Sequence, residues 1–243
     1  MIKSKTAIKI RKAHRYLGLF LGIQFLLWTI SGLYFSWTNI DEIRGEHLIN
    51  KNVKLKDFSE LISPSKLNES NIKSIELRNI SGVPYYWINN ANLYNAYTGD
   101  LKQSITKKEA VDIAKQSLVK GLEIKSINYI STVDKHHEYR NKLLPAYVIS
   151  FKDNRNIKAY VSSLDGKFQT VRHRNWRWFD FLWMAHTMDY ESRDNFNNTL
   201  LRVFSLLGLI TVLSGFTLWV TSSSTIRKIF FKKTKINNSK TIR

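Results

Sequence analysis

The sequence predicts an α+β membrane protein in which two transmembrane helices flank a domain outside the cytoplasm. Three observations lead to this prediction. Two long segments carry no formal charge, a basic tail adjoins each of them, and the stretch between them combines one helical pattern with several strand patterns. That polar stretch is long enough to form one domain, or two small ones.

The positive charge of the chain is concentrated at its two ends. The 243 residues include 38 Lys and Arg against 19 Asp and Glu, a formal net charge of +19. Residues 1–15 hold six basic groups and residues 221–243 hold seven, and neither tail contains an acid. A nucleic-acid-binding protein would carry a basic face on its folded part as well, so we expect no nucleic-acid partner. The absence of cysteine excludes disulfides, thiolate metal sites, iron–sulfur clusters and a thiol nucleophile.

Two uncharged segments are candidates to cross the lipid bilayer. Leu17–Trp37 has 21 residues and Val203–Val220 has 18, and at ~1.5 Å per residue the first spans the ~30 Å hydrocarbon core. The positive-inside rule then predicts multi-pass insertion in the inner (cytoplasmic) membrane, with helices over 16–37 and 200–220 and both basic tails in the cytoplasm. The alternative for the first segment is a cleaved signal peptide. Its apolar run, however, exceeds the usual ~7–15-residue h-region, and no A-x-A-like site follows it.

The two apolar segments share a pattern of small residues. The first contains TISG at 29–32 and the second contains VLSG at 212–215. Small residues allow helix backbones to approach closely, so we expect helix contacts at both positions.

Residues 38–199 then lie outside the cytoplasm and contain one clear helix and several strands. Thr106 followed by Glu109 forms a capping box that predicts a helix over Thr106–Lys120. Alternating runs predict the strands Ile72–Ile80, Tyr85–Ile88, Leu93–Tyr97, Ile124–Thr132, Ala146–Phe151 and Lys158–Ser162.

The strand patterns occur in two similar blocks. Each block has a proline before one strand and a turn with Gly and Asp after the next. A short first helix is expected at Asp57–Ile62. We therefore predict a domain over 38–172 built from two helix-plus-antiparallel-sheet units, at about 52–104 and 105–172, followed by an aromatic interfacial segment over 173–199.

Four segments of the chain carry a resemblance to known proteins. Residues 105–118 (ITKKEAVDIAKQSL) and 144–171 (LPAYVISFKDNRNIKAYVSSLDGKFQTV) look like a PepSY domain. Residues 12–37 (KAHRYLGLFLGIQFLLWTISGLYFSW) and 172–190 (RHRNWRWFDFLWMAHTMDY) resemble the membrane segments of the PepSY-associated transmembrane (PepSY-TM) family. That family includes inner-membrane ferric-siderophore reductases that carry haem on membrane histidines and are larger, with four spans. Other PepSY proteins are linked to peptidase inhibition.

His14 is the first histidine to which the resemblance assigns haem iron. It lies three residues before the first uncharged segment, and on a helix Gly18, Phe25 and Gly32 fall on nearly the same face. Glycines above a histidine would let a flat macrocycle approach closely. The alternative is an interfacial histidine in a basic flank, with Gly18 and Gly22 forming a G-x-x-x-G helix-packing motif.

His186 is the second candidate ligand, within the aromatic segment Trp176–Tyr190. The apolar residues of this segment suit a helix lying in the outer membrane interface. Trp183 would share a face with His186, and Asp180 and Asp189 are candidates to fix the tautomer of its ring. The alternative is a membrane-skimming belt in which His186 is a polar filler.

The remaining histidines give weaker signals. The adjacent His136 and His137 lie in a polar loop and are expected to be solvated. His173 is flanked by arginines and is expected to be an interfacial charge, whereas His47 gives no signal. The chain contains no Rossmann, P-loop, zincin or nucleophile-elbow motif.

Two functions follow from these expectations and both stay open. The first is an oxidoreductase that holds haem b and passes electrons outward to a ferric siderophore or similar iron chelate. Neither tail can hold a flavin or nicotinamide domain, so a separate cytoplasmic protein would donate the electrons. A homodimer through Gly18 and Gly22 would pair His14 with His14 and His186 with His186. The second is a cofactor-free, membrane-tethered PepSY protein that acts as a binding module, accessory subunit or sensor.

Overall fold

The computed structural model describes residues 4–53 and 56–223. The chain divides into two compact units. The first, here called the helical unit, comprises Met1–Ser36 and Trp183–Arg243, and the second, the sheet unit, comprises Trp37–Leu182. Seven basic residues of the C-terminal tail, together with Lys3, lie outside the described residues.

Five α-helices and eight strands occur within the described ranges. The helices are α1 (Ser4–Trp37), α2 (Ile40–Arg44), α3 (Lys107–Ser117), α4 (Arg174–Thr187) and α5 (Thr199–Ser222). The strands are β1 (Ile75–Ile80), β2 (Val83–Ile88), β3 (Asn92–Asn95), β4 (Leu101–Lys102), β5 (Ile124–Ile130), β6 (Ala146–Phe151), β7 (Lys158–Ser162) and β8 (Phe168–Arg172).

The helical unit is built on α1 and α5, both of which are long and apolar enough to cross a membrane. Only 17% and 11% of their most apolar windows are buried within the protein, so neither packs like the core helix of a soluble domain. The rings of Phe20 on α1 and Phe204 on α5 lie 5.6 Å apart. Phe25 of α1 packs on Gly208 of α5, where an added Cβ would lie 3.3 Å from the ring. The two predicted apolar helices are therefore present and in contact.

The sheet unit contains two four-stranded antiparallel sheets, in the orders β1-β2-β3-β4 and β5-β6-β7-β8. Each is a meander in which consecutive strands pair. One core cluster draws Trp87 and Leu93 from the first sheet, Ile149 and Val161 from the second, and Ala110 from α3. The α+β class and the antiparallel sheets predicted from the sequence are thus present.

Helix α3 begins as its sequence predicts. Thr106 is the N-cap, and both bonds of its capping box with Glu109 are formed. The strands over Ala146–Phe151 and Lys158–Ser162 match their predicted bounds. Strands β4 and β8 were not predicted, because neither alternates clearly between polar and apolar residues.

The prediction of a short helix at Asp57–Ile62 is wrong. These residues have no regular structure, and Glu60 has a left-handed backbone with φ of 59°. The Ile62 N–H donates to the Ala96 carbonyl, and the Tyr86 hydroxyl donates to the Ile62 carbonyl. The segment therefore covers the outer face of the first sheet as extended chain. Apart from a 3-10 turn at Pro64–Lys66, the described part of this first block has no helix before its sheet.

Candidate functional site

The His14 ring of α1 is bonded to α5. Its Nδ1 lies 2.8 Å from Ser214 Oγ and 3.2 Å from the Thr211 carbonyl oxygen. Ser214 Oγ in turn donates to the Thr211 carbonyl at 2.7 Å. An Nδ1–H on the ring suits both contacts, because the Thr211 carbonyl can only accept. In that tautomer the Nε2 lone pair is left to accept or ligate.

An apolar cleft of about 490 Å³ adjoins His14. Its walls on α5 include Val212, Phe216 and Trp219. Gly215 also lines the cleft, and a Cβ at this position would lie only 3.1 Å from His14 Cε1. The glycine that allows the histidine ring to approach is thus on α5, not on α1.

His186, near the end of α4, has a matching arrangement on α1. Its Nδ1 lies 2.7 Å from Ser31 Oγ, and Ser31 Oγ donates to the Leu27 carbonyl at 2.6 Å. Ser31 Oγ can accept from an Nδ1–H while it donates to the Leu27 carbonyl, and in that tautomer Nε2 keeps its lone pair. The Phe35 ring contacts the imidazole edge-on, with the centroids 5.5 Å apart.

At each of the two histidine sites, the imidazole bonds a serine that lies on a different helix. His14 of α1 bonds the serine of the VLSG pattern in α5, and His186 bonds the serine of the TISG pattern in α1. Both patterns were expected to allow close helix approach. In the structure, the serine of each pattern also contacts an imidazole Nδ1. Seventeen residues separate His14 from Ser31, which places the two sites about 25 Å apart along α1.

Three side chains satisfy the last carbonyls of α4. Gln24 Nε2 donates to the Ala185 carbonyl at 3.2 Å, and Trp28 Nε1 donates to the His186 carbonyl at 2.7 Å. Asn198 Nδ2 donates to the Thr187 carbonyl at 2.9 Å. A helix end leaves its final carbonyls without helical partners, which is costly in an apolar environment. Gln24, only 7% exposed, was missed by the sequence analysis, although an amide within an apolar run was a readable signal.

The two aspartates expected to orient the His186 ring have other partners. Asp180 pairs with Arg140 in the sheet unit, with 2.6 Å between Oδ1 and the guanidinium. Asp189 accepts bonds from the backbone of Ser192 and Asn195 in its own loop. Burial alone would raise the pKa of Asp189, but these bonds outweigh it and lower the pKa to about 2. The group at His186 Nδ1 is the serine hydroxyl, which only the tertiary contact reveals.

Trp183 and the glycines of α1 complete the set of candidates. The Trp183 ring contacts that of Phe35, with 5.8 Å between centroids, so Phe35 joins it to His186. An added Cβ at Gly18, Gly22 or Gly32 would meet no atom within 4 Å. The glycine face of α1 is therefore open, and the G-x-x-x-G motif makes no close helix contact within the described chain.

The other histidines lie in the sheet unit. His173 is 2% exposed, and its Nε2 donates to the carbonyls of Glu42 and Ile43. The expectation of an interfacial charge is wrong for this residue, because its ring is enclosed and hydrogen-bonded to the backbone. His137 Nδ1 accepts the Tyr139 N–H. Across the described residues, no group of three or more His, Cys, Asp or Glu side chains is arranged to hold a metal ion.

Comparisons with known proteins add no relative to this description. No protein-family model, no curated protein and no solved structure matches the chain.

Proposed function

We propose that this chain is a PepSY-TM-type inner-membrane protein that binds haem b through His14 and His186 and passes electrons outward to an external iron chelate. One observation carries the proposal: the Nδ1 of each imidazole lies within 2.8 Å of a serine oxygen whose hydroxyl also bonds a carbonyl of its own helix. A histidine that ligates a metal through one nitrogen usually donates its other N–H to a neighbouring group, which fixes the tautomer. Both rings have such a neighbour at Nδ1.

The surroundings of His14 suit a flat, largely apolar ligand. The adjoining cleft is walled by the aromatic rings of Phe216 and Trp219 and opens beside the ring. Imidazole-bound haem iron supplies one-electron chemistry. The chain's own contribution is to orient each ring, to exclude water with its apolar walls and to accept the Nδ1–H of each ring at a serine oxygen.

The proposal includes the topology and partners expected from the sequence. Helices α1 and α5 cross the bilayer, both termini lie in the cytoplasm and the sheet unit lies outside. A second copy of the chain packs on the open face of α1 at Gly18 and Gly22 and supplies a second histidine at each level. A separate cytoplasmic protein donates the electrons, because the chain has no nucleotide-binding motif.

A cofactor-free accessory or binding protein is the second candidate, and the end of α4 favours it. Gln24, Trp28 and Asn198 bond three successive carbonyls there, and the His186 ring packs on Phe35. This arrangement gives His186 a structural role that needs no iron. In that case the sheet unit would carry the activity.

Absorbance of the purified protein separates the two candidates. Protein purified in detergent from membranes of haem-replete cells should show a Soret band that shifts when dithionite is added. A colourless preparation contradicts the haem proposal and favours the accessory role.

Single substitutions then test each ligand. His14→Ala and His186→Ala should each remove about half of the bound haem, because each removes one of two ligand positions. His186→Ala should also abolish reduction of an external ferric chelate, while the remaining haem stays reducible from the cytoplasmic side. His136→Ala, in an exposed loop, is the matched control and should leave the spectrum unchanged. Survival of chelate reduction in the His186 variant would contradict the outward direction.

A further inference from the structure

A second candidate site lies in the sheet unit, at a cleft of about 580 Å³ beside the edge strand β5. Ser126 of β5, Ser150 of β6 and Lys158 of β7 form one row across the sheet, because each is paired in register with the next. Directly paired residues point to the same face of a sheet. The row therefore lies on the face opposite Ile149, which is buried in the core.

A β-bulge presents a lysine at the mouth of this cleft. Ile124 pairs with Phe151 and Ser126 pairs with Ser150, so Lys125 is the extra residue on β5. A bulge twists its strand locally and redirects a side chain. Lys125 is exposed, lines the cleft and makes no hydrogen bond or ion pair with any described residue.

The cleft carries an excess of positive charge. It is lined by the acidic Asp153 and by four basic residues: Lys125, Lys152, Lys158 and Arg177. The ion pairs are Lys158 and Arg177 with Glu138, Lys152 with Glu123, and Arg155 with Asp153, at 2.5–3.2 Å. Burial alone would raise the pKa of Glu138, but bonds from Arg177 and Tyr160 outweigh it and keep the pKa below its usual range. With every partner counted, five cations face three carboxylates, which leaves two positive charges unbalanced.

Neutral donors complete the cleft. The hydroxyls of Ser126 and Ser150 and the side-chain amide of Asn156 have no hydrogen-bond partner among the described residues. Phe151 and Ile157 also line the cleft, but they are 4% and 1% exposed and pack in the core cluster. A volume of about 580 Å³ is in the range of small-molecule sites, roughly 300–1,000 Å³, and far exceeds what a single inorganic ion would fill.

We propose that this cleft binds a small organic anion that carries two or more carboxylates. Its carboxylates would accept from Lys125, Lys152 and the two serine hydroxyls. The unbalanced charge of two matches a dianion or trianion, and the volume of the cleft favours an organic ligand over inorganic phosphate. This site does not depend on haem, so a colourless protein would still bind the anion.

Calorimetric titration of the full-length protein in detergent tests the proposal, with citrate as the probe. Citrate should bind saturably, and the affinity should fall between 50 and 300 mM salt, because the screening length shortens from about 14 Å to about 6 Å over this range. Lys125→Ala should weaken binding by about threefold to tenfold, the range expected for one exposed charge contact. Lys120→Ala, which removes an exposed lysine that does not line the cleft, should change nothing. Trimethyl citrate, which has no charge, should not bind.

Three results would overturn the proposal. They are the absence of saturable citrate binding, an equal loss of affinity in the Lys120 and Lys125 variants, and displacement of citrate by an equal concentration of inorganic phosphate. Lys125→Gln serves as a second variant that keeps a long polar side chain. Circular dichroism and the melting temperature of each variant confirm that a loss of binding does not come from misfolding.

Discussion

Ser31 and Ser214 occupy equivalent positions in two apolar helices, and each uses its hydroxyl twice. The proton bonds a carbonyl within the same helix, and the oxygen accepts from a histidine of another element. A serine that bonds back to its own helix is common and by itself carries little meaning. What distinguishes these two is that the same oxygen also lies within hydrogen-bonding distance of an imidazole Nδ1, an arrangement that suits an Nδ1–H donor.

Removal of one of these serines tests the tautomer argument. Ser214→Ala leaves His14 Nδ1 with only the longer bond to the Thr211 carbonyl. We expect haem affinity to fall by about tenfold or more, the size typical of losing the group that orients a metal-bound histidine. The haem-to-protein ratio measures this effect. Thr217→Ala is the control, since the Thr217 hydroxyl donates to the Leu213 carbonyl in the same helix, and an equal loss in both variants would contradict the role of Ser214.

His173 predicts a pH dependence in the sheet unit. Burial lowers its pKa below the ordinary value of 6.5, and the nearby His47 ring acts in the same direction, whereas the bonds to the Glu42 and Ile43 carbonyls oppose the shift. The folded protein thus takes up this proton at a lower pH than the unfolded chain. The resulting stability is present above about pH 6.5 and is lost as the pH falls towards the folded-state pKa, by at most about 1.4 kcal/mol per pH unit.

The change of stability with pH is measured in the full-length protein from the melting temperature of the sheet unit at pH 7.5 and at pH 5. His173→Gln should reduce the difference between the two temperatures, whatever its effect on stability at neutral pH. His136→Gln, which changes an exposed loop histidine, should leave the difference unchanged. An unaltered slope in the His173 variant would assign the pH dependence to other groups.

Sequence reasoning proposed His14 and His186 as haem ligands from their places beside apolar runs and from the family resemblance. It did not predict the hydrogen-bond partners that the two rings have in the structure. Asp180 and Asp189 were chosen because they lie near His186 in the sequence, yet Arg140 and the 190–195 loop hold their carboxylates. Which polar groups meet is decided by tertiary packing, and no local pattern encodes it.

At the scale of elements, the two glycine-bearing faces of the helical unit differ. Gly208 and Gly215 of α5 are in contact with side chains of α1, whereas Gly18 and Gly22 of α1 face open space. The sequence alone suggests that the glycines of α1 make the closer contact, because the G-x-x-x-G spacing on α1 is the better-known helix-packing motif. The positions that need glycine are those where an aromatic or imidazole ring lies on the opposing backbone.

Alanine at these glycines should therefore have opposite effects. Gly215→Ala places a methyl group 3.1 Å from His14 Cε1, so the ring must move and the bond to Ser214 weakens. Gly18→Ala adds a methyl group to open space and should leave the monomer equally stable or more stable by up to about 1 kcal/mol, from helix propensity. Thermal unfolding in detergent compares the two variants. Equal destabilisation of the monomeric protein by both variants would contradict the difference between the two faces, whereas weaker dimerisation of the Gly18 variant is what the proposed dimer predicts.

The strands and α3 were largely predictable, and the first block was not. Thr106 and Glu109 form a local signal that no tertiary contact needs to complete. Residues Asp57–Ile62 have only a weak helical pattern over six residues, and isolated helices of that length are unstable. Their apolar side chains are instead used to cover Tyr86 and Tyr94 of the first sheet.

At the scale of the whole molecule, the division into a helical unit and a sheet unit follows from where the apolar residues lie in the chain. The two apolar helices come from opposite ends of the chain, and the sheet unit is inserted between them. A chain of this order that crosses a bilayer twice has both ends on one side and the inserted domain on the other. In the proposed topology, the Lys and Arg residues of the tails would select the side.

Reporter fusions test this topology directly. A reporter enzyme that is active only outside the cytoplasm should be active when fused after Asp100, in the sheet unit, and silent when fused after Arg243, which keeps the basic C-terminal tail intact. A reporter that is active only in the cytoplasm should give the reverse pattern, which controls for expression of each fusion. Activity of the first reporter at both points would mean that α5 does not cross the membrane. His14 and His186 would then lack the transverse arrangement that outward electron transfer needs, and the accessory role would become the better proposal.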